Sequence, residues 1–223
     1  MDRQGVARTG AAGKGKARQG KAILGIERPD MKVLVACEFS GTVRDAFARR
    51  GHDAWSCDLL PSETEGQHIV GDVLNVIGQG WDLMIAHPPC TYLAASGLHW
   101  NTRRPERAEL TESALRFVEM LAHAPIPKIA IENPIGCLST RWRKPDQIIQ
   151  PWQFGHDASK ATCLWLKGLP VLQYTNVLPG GRKARRANQT ASGQNRLAPS
   201  PTRWKERSVT YTGIAEAMAQ QWG

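Results

Sequence analysis

The chain lacks any run approaching the 18 or so apolar residues that a membrane span needs. Its basic N-terminus also lacks an apolar stretch followed by a small-residue cleavage site, so neither a spanning helix nor a secretory signal is expected. Cysteine is sparse. Cys37, Cys57, Cys90, Cys137 and Cys163 are odd in number and form no CxxC pair, which argues against a disulfide framework and against a zinc knuckle. The six histidines, His52, His68, His87, His99, His123 and His156, show no paired ligand spacing, so no metal is expected. Free thiols in the cytoplasm are the natural assignment. Before Ile23 there is almost no large apolar side chain, so residues 1–30 cannot bury enough surface to offset their ordering entropy and read as a disordered basic tail. Met31 directly precedes the first strand signal and is a candidate translational start.

What is present is a length of 223 residues, enough for one α/β domain burying roughly 70% of its unfolded surface. The net charge of +9 is unevenly spread. Residues 1–30 hold seven Lys or Arg against three acids, residues 178–207 hold eight against one, and residues 31–177 hold fourteen against fifteen. Two basic appendages on a nearly neutral core suit a polyanion, because Lys and Arg gain affinity by releasing phosphate counterions. Solubility alone accounts for such tails equally well.

From Met31 onward, short apolar runs alternate with helical stretches, the signature of a parallel sheet wrapped by helices. Strands are expected at Lys32 to Cys37, Ala54 to Cys57, His68 to Val70, Trp81 to Ala86 and Lys128 to Ile131, with a further one at Thr162 to Leu166. Helices are expected from Val43 to Arg50, stopped by Gly51, and from Pro105 to about His123 with Leu110, Ala114, Phe117, Val118 and Leu121 on its buried face. A closing helix is expected over Ile214 to Trp222. The expected architecture is a doubly wound, Rossmann-like α/β domain over 31–177, followed at 178–223 by a basic loop and that helix.

In an open parallel sheet, ligands bind beyond the carboxyl ends of the strands. Each conspicuous polar motif falls at such an end: the turn Glu38-Phe39-Ser40-Gly41, then Asp58, then Asp72-Val73, then Pro88-Pro89-Cys90, then Glu132-Asn133-Pro134. Acids after the second and third strands suit a ribose and an adenine amino group, although either is also a common turn cap. A thiol exposed by two prolines after a buried strand is placed as a nucleophile, given a helix N-terminus from Thr91 or a cation such as Arg103 to favour the thiolate. A carboxyl one strand further on can share a proton with a nitrogen heterocycle as that nucleophile adds.

The ordered set EFSG, CDLL, GDV, HPPCTYL and IENP, over roughly residues 31–170, resembles the motifs of DNA cytosine-5 methyltransferases, especially short phage and prophage versions. The resemblance implies the S-adenosylmethionine-dependent methyltransferase fold, with Glu38, Phe39, Ser40, Gly41, Asp58, Asp72, Val73 and Pro88 around the S-adenosylmethionine pocket. It implies that Cys90 adds to C6 of a flipped cytosine and that Glu132 engages N3. DNA is the implied partner, with Lys160 and Thr162 in places where the family's later strand carries arginines, and Ala158 where a third contact residue belongs. Arg182, Lys183, Arg185 and Arg186 are candidates for phosphate contact, which positions without specifying bases.

The chain also departs from that family. Asp58 stands where a glutamate is usual, Thr91 where a glutamine is usual, and Pro134 where a valine is usual. Only 57 residues follow Leu166, too few for a full target-recognition region, so sequence specificity is low, supplied differently, or borrowed from a partner protein. Trp142, Trp152, Trp165 and Trp204 can stack on bases, but core or lid positions are favoured. His87 and His99 are candidates for bordering the pocket. Two other readings stay open: a pyrimidine nucleotide-modifying enzyme with the same cysteine chemistry, and a non-catalytic nucleic-acid-binding protein on a methyltransferase fold. An exocyclic-amine methyltransferase ranks lower, because His87 and Cys90 stand where that chemistry wants an Asp or Asn and an aromatic.

Overall fold

Period-two alternation sorts the strand residues into two cores. Val33, Val35, Leu83 and Ile85 face one side of the sheet, and Leu34, Ala36, Met84 and Ala86 face the other. All eight are fully buried, which is why these strands read as continuous apolar runs. A computed structural model describes residues 30–223; apart from Asp30, the tail expected to be disordered lies outside the described residues.

The strands are β1 (Lys32–Ala36), β2 (Asp53–Asp58), β3 (His68–Val70), β4 (Leu83–Ala86), β5 (Lys128–Pro134), β6 (Gln147–Ile149) and β7 (Thr162–Lys167). They form one sheet in the order β3-β2-β1-β4-β5-β7-β6. The first five are parallel, and β7 runs antiparallel between β5 and β6. This is the doubly wound, Rossmann-like α/β sheet expected from the sequence, and its order reverses between β1 and β4, the place where such sheets bind ligands. Helices α1 (Thr42–Ala48) and α6 (Thr212–Trp222) cover one face, and α3 (Pro105–Ala122) covers the other. Three short helices, α2 (Ala95–Leu98), α4 (Leu138–Arg141) and α5 (Arg203–Ser208), sit in the connections. Among the described residues, no helix is long and apolar enough to cross a membrane.

Several elements differ from expectation. The first strand stops at Ala36, because Cys37 adopts φ 59, a left-handed turn that starts the loop over the sheet edge. Strand β5 continues three residues past Ile131, because β7 pairs with Glu132, Asn133 and Pro134 from the other side. Glu132 is therefore a strand residue rather than a loop residue. The buried stripe of α3 is Thr111, Leu115, Val118 and Leu121, and Leu110 is exposed. Thr111 is tolerated there because its hydroxyl donates to the Tyr92 carbonyl (3.0 Å) and accepts from Asn101 (2.9 Å). Strand β6 carries no signal of its own, and Arg203–Ser208 is helical within the stretch read as loop.

Arg44 is 1% exposed in α1, and its guanidinium ties the loop after β2 onto that helix. It donates to the hydroxyls of Ser56 (3.1 Å), Ser62 (3.0 Å) and Thr64 (2.6 Å) and to the Glu65 carbonyl (2.8 Å), and pairs with Asp45 (2.8 Å). Arg44→Met keeps the stem but removes every one of these donations, leaving the buried Ser56 hydroxyl and the Asp45 carboxylate without the guanidinium. It is expected to cost about 2–4 kcal/mol in urea unfolding and to speed amide exchange in residues 62–66. A loss below about 1 kcal/mol would show that water replaces the guanidinium.

Candidate active site

The site follows from strand register. Ala86 on β4 stands opposite Ile131 on β5, so the next residues along, His87 and Glu132, emerge side by side. The His87 amide donates to the Ala36 carbonyl (2.9 Å), and Pro88 and Pro89, having no N–H, then end the ladder. His87 Nδ1 lies 3.1 Å from Glu132 Oε2, with side chains only 10% and 15% exposed. One residue further, Asn133 Nδ2 donates to the Pro88 carbonyl (2.8 Å). Cys90 follows, exposed, its carbonyl accepting from the amides of Leu93 (3.0 Å) and Ala94 (2.9 Å). The Cys90 turn is in turn fastened to the loop after β5, by Cys137 N donating to Leu93 O (2.9 Å) and Ala95 N to Ile135 O (3.0 Å). Gly136 fits there because a Cβ would overlap the Leu93 carbonyl.

The Cys90 thiol and the Glu132 carboxyl are shifted in opposite directions. Burial of the sulfur raises the Cys90 pKa, the Glu132 charge raises it further, and Lys160 and Arg207 only partly offset this. Burial alone would raise Glu132 too, but the His87 hydrogen bond and charge, Lys160, and the Thr162 hydroxyl outweigh it, and its pKa is lowered. The cations acting on Cys90 are thus Lys160 and Arg207, not Arg103, which lies over the Trp100 ring (5.7 Å). The nearest helix after Cys90 begins only at Ala95, so no helix N-terminus reaches the thiol from Thr91.

A small cavity of about 10 Å³, room for about one water, adjoins Glu132, lined by Lys160 and Thr162 from the β7 side and by Thr210, Tyr211, Ile214 and Met218 from the start of α6. Lys160 Nζ donates to the carbonyls of Arg207 (2.8 Å) and Val209 (3.2 Å), latching the α5–α6 connection over the site. Of the residues expected to meet DNA, Lys160 therefore has its ammonium engaged by the protein, and Thr162 is buried on Glu132. Arg182, Lys183 and Arg185 are exposed. Arg186 is not: it is 5% exposed, packed over Trp152 (5.1 Å) and donating to Gly181 O (2.9 Å), so it anchors the basic loop and is withdrawn from phosphate contact. Trp165 is core, Trp142 packs against it (6.0 Å between ring centroids), and Trp204 is exposed.

The residues expected around a cofactor gather at the ends of β1 to β4, in two groups. Asp58 and Asp72 cap local turns, accepting from Leu60 N (2.9 Å) and Leu74 N (3.0 Å), each through one oxygen. Beyond the effect of burial, their charges raise the thiols of Cys37 and Cys57, so both acids lie close to the ends of β1 and β2. With Leu59 exposed beside them, their second oxygens are acceptors that fit the hydroxyls of a ribose. The turn after β1 is occupied by the protein itself. Glu38 is buried, and its carboxylate accepts from the amides of Val43 (2.7 Å) and Arg44 (3.1 Å), capping α1. Ser40 lies between Glu38 and Thr42, each at 3.2 Å; Gly41 holds φ 73 against Thr64; Phe39 lies under Trp204 (6.0 Å) and Lys205 (5.5 Å). Lys205 also pairs with Glu63. Val73 is 4% exposed and packs into the core. Pro88 is buried, with its carbonyl bound by Asn133.

Sequence reading did not pair His87 with Glu132, nor bring Thr210, Tyr211 and Arg207 to the site. Counting residues past the ends of β4 and β5 reveals the first pair; the others come from the chain's far end and carry no local signal.

No protein-family model and no curated protein matches the chain. Among solved structures, it is similar to a candidate DNA modification methyltransferase encoded within an E. coli prophage, with a TM-score of 0.45 and 14% identity over 67% of this chain. The match spans 52% of that protein, about half its length.

Because the Glu132 charge holds the Cys90 thiol up, Glu132→Gln is expected to lower the Cys90 pKa and speed its alkylation by iodoacetamide at pH 8, whereas Lys160→Met is expected to slow it. Equal rates in all three proteins would show that these charges do not reach the sulfur.

Proposed function

We propose that this chain is an S-adenosylmethionine-dependent DNA methyltransferase of the cytosine-5 type, with Cys90 as nucleophile and Glu132 as its acid partner. The observation that supports this reading is the juxtaposition of an exposed thiol after β4 with a largely buried, hydrogen-bonded carboxylate at the end of β5. Asp58 and Asp72 would hold the ribose and base of S-adenosylmethionine, which would supply a methyl group on a sulfonium. The exposed Arg182, Lys183 and Arg185 hold phosphates, and a target base leaves the duplex at a cost of a few kcal/mol.

The resting states define the work of the protein groups. At rest Cys90 favours the thiol and Glu132 the carboxylate. When sulfur adds to C6 of cytosine, the C5–C6 π pair moves onto C5 and the ring requires a proton at N3. The thiol gives up one proton and N3 gains one, so the addition is neutral overall, with Glu132 the carboxyl suited to hand it on. The same carboxylate accepts from the exocyclic amine, which selects cytosine over thymine. After methylation, loss of the C5 proton and expulsion of sulfur restore the ring.

Incubation with S-adenosylmethionine and unmethylated mixed-sequence DNA is expected to yield 5-methylcytosine by nucleoside mass spectrometry, and none with Cys90→Ser. A product on dCMP but not on DNA would move the substrate to a free nucleotide. No product on either, with cofactor bound, would sink the catalytic reading.

A further inference from the structure

The reaction assigned to Cys90 and Glu132 leaves one buried group at the site without a task. His87 sits at the switch point of the sheet, its amide fixed to β1 and its ring between the extensions of β4 and β5. Its Nδ1 meets Glu132 Oε2 at 3.1 Å, and its Nε2 is buried with no hydrogen-bond partner among the described residues. Facing a carboxylate oxygen, Nδ1 must carry a proton and donate it there, while Nε2 has no partner in the buried site. A ring held this way has its Nδ1 proton committed to Glu132 and moves none in the reaction. What it does is orient: Glu132 ends a side chain with three rotatable bonds, and a donor from the neighbouring strand fixes the plane of its carboxylate.

We propose that His87 is a positioning residue for Glu132: donation from its Nδ1 holds Oε2, so that the remaining carboxylate lone pairs meet the N3–N4 edge of a pyrimidine whose C6 lies at Cys90. This rests on the cytosine-5 reading above. Two neighbours make the orientation specific. Thr162 on β7 lines the same small cavity beside the carboxylate, its hydroxyl donating to the Lys160 carbonyl (3.2 Å), and Asn133, donating to Pro88 O (2.8 Å), keeps the two strand extensions at a fixed separation. The charged and titratable groups acting around Glu132 are His87, Lys160, Cys90 and Cys163, so no other carboxylate competes for the His87 proton.

The test uses the full chain with His87→Ala and His87→Asn, the second because its side-chain amide can donate from near the Nδ1 position without carrying a titratable proton. On DNA, His87→Ala is expected to lower kcat about ten- to a hundred-fold with the KM for DNA little changed, and His87→Asn to recover most of that loss. A kcat for His87→Ala within about two-fold of the parent overturns the proposal, as does a loss that His87→Asn does not repair. An activity-free readout separates this failure from failure of the reaction itself. In a carbon-13 NMR titration, the Glu132 carboxyl, identified by its disappearance in Glu132→Gln, is expected to titrate at higher pH in His87→Ala. If the parent makes no 5-methylcytosine, the reaction reading falls; an upward titration shift still upholds the positioning of Glu132, and an unchanged titration removes it.

Discussion

The in-register pairing of β4 with β5 is the constraint on which the rest of the site depends. Parallel neighbours about 4.8 Å apart carry their side chains in step, so whatever follows Ala86 must stand beside whatever follows Ile131. The chain places a histidine opposite a glutamate, then a proline carbonyl opposite an asparagine amide, and only then releases the backbone into the Cys90 turn. A slip of one residue would turn Glu132 to the opposite face of the sheet and bury Asn133's neighbours in its place. The site is therefore an extension of the sheet rather than a pair of loops.

The antiparallel β7 makes that extension possible. Without a partner on its far side, β5 would fray after Ile131. With Leu164, Cys163 and Thr162 paired to Glu132, Asn133 and Pro134, Glu132 gains a rigid backbone. The C-terminal segment then closes the arrangement. Helix α6 packs Ile214, Met218 and Trp222 into the same core as Val33 and Phe47 of β1 and α1, and its first turn walls the cavity. Helix α5 lies over Phe39 while its end is latched by Lys160. The strap thus touches both the turn after β1 and the cavity beside Glu132, which couples the two regions physically.

Much of this was legible in the chain because it rests on local rules. Apolar runs fixed the first five strands to within a few residues, and Pro88-Pro89 marked where the ladder must stop. Cys90 and Glu132 were identifiable because strand ends in such a sheet converge. What stayed hidden depends on tertiary partners. The extra length of β5 comes from β7, the burial of Arg186 from Trp152, and the inward turn of Glu38 from the free amides at the start of α1. The acids after β2 and β3 cap turns, as acids in such places commonly do, each keeping one oxygen out of that cap. The α3 stripe was displaced because a hydrogen-bonded Thr111 sits in the core where composition favoured Leu110.

A thiol kept protonated at rest has a bearing on survival as well as on reactivity. Peroxides and soft electrophiles attack the thiolate, and a cysteine that is exposed but held above the ordinary thiol pKa offers them little of it.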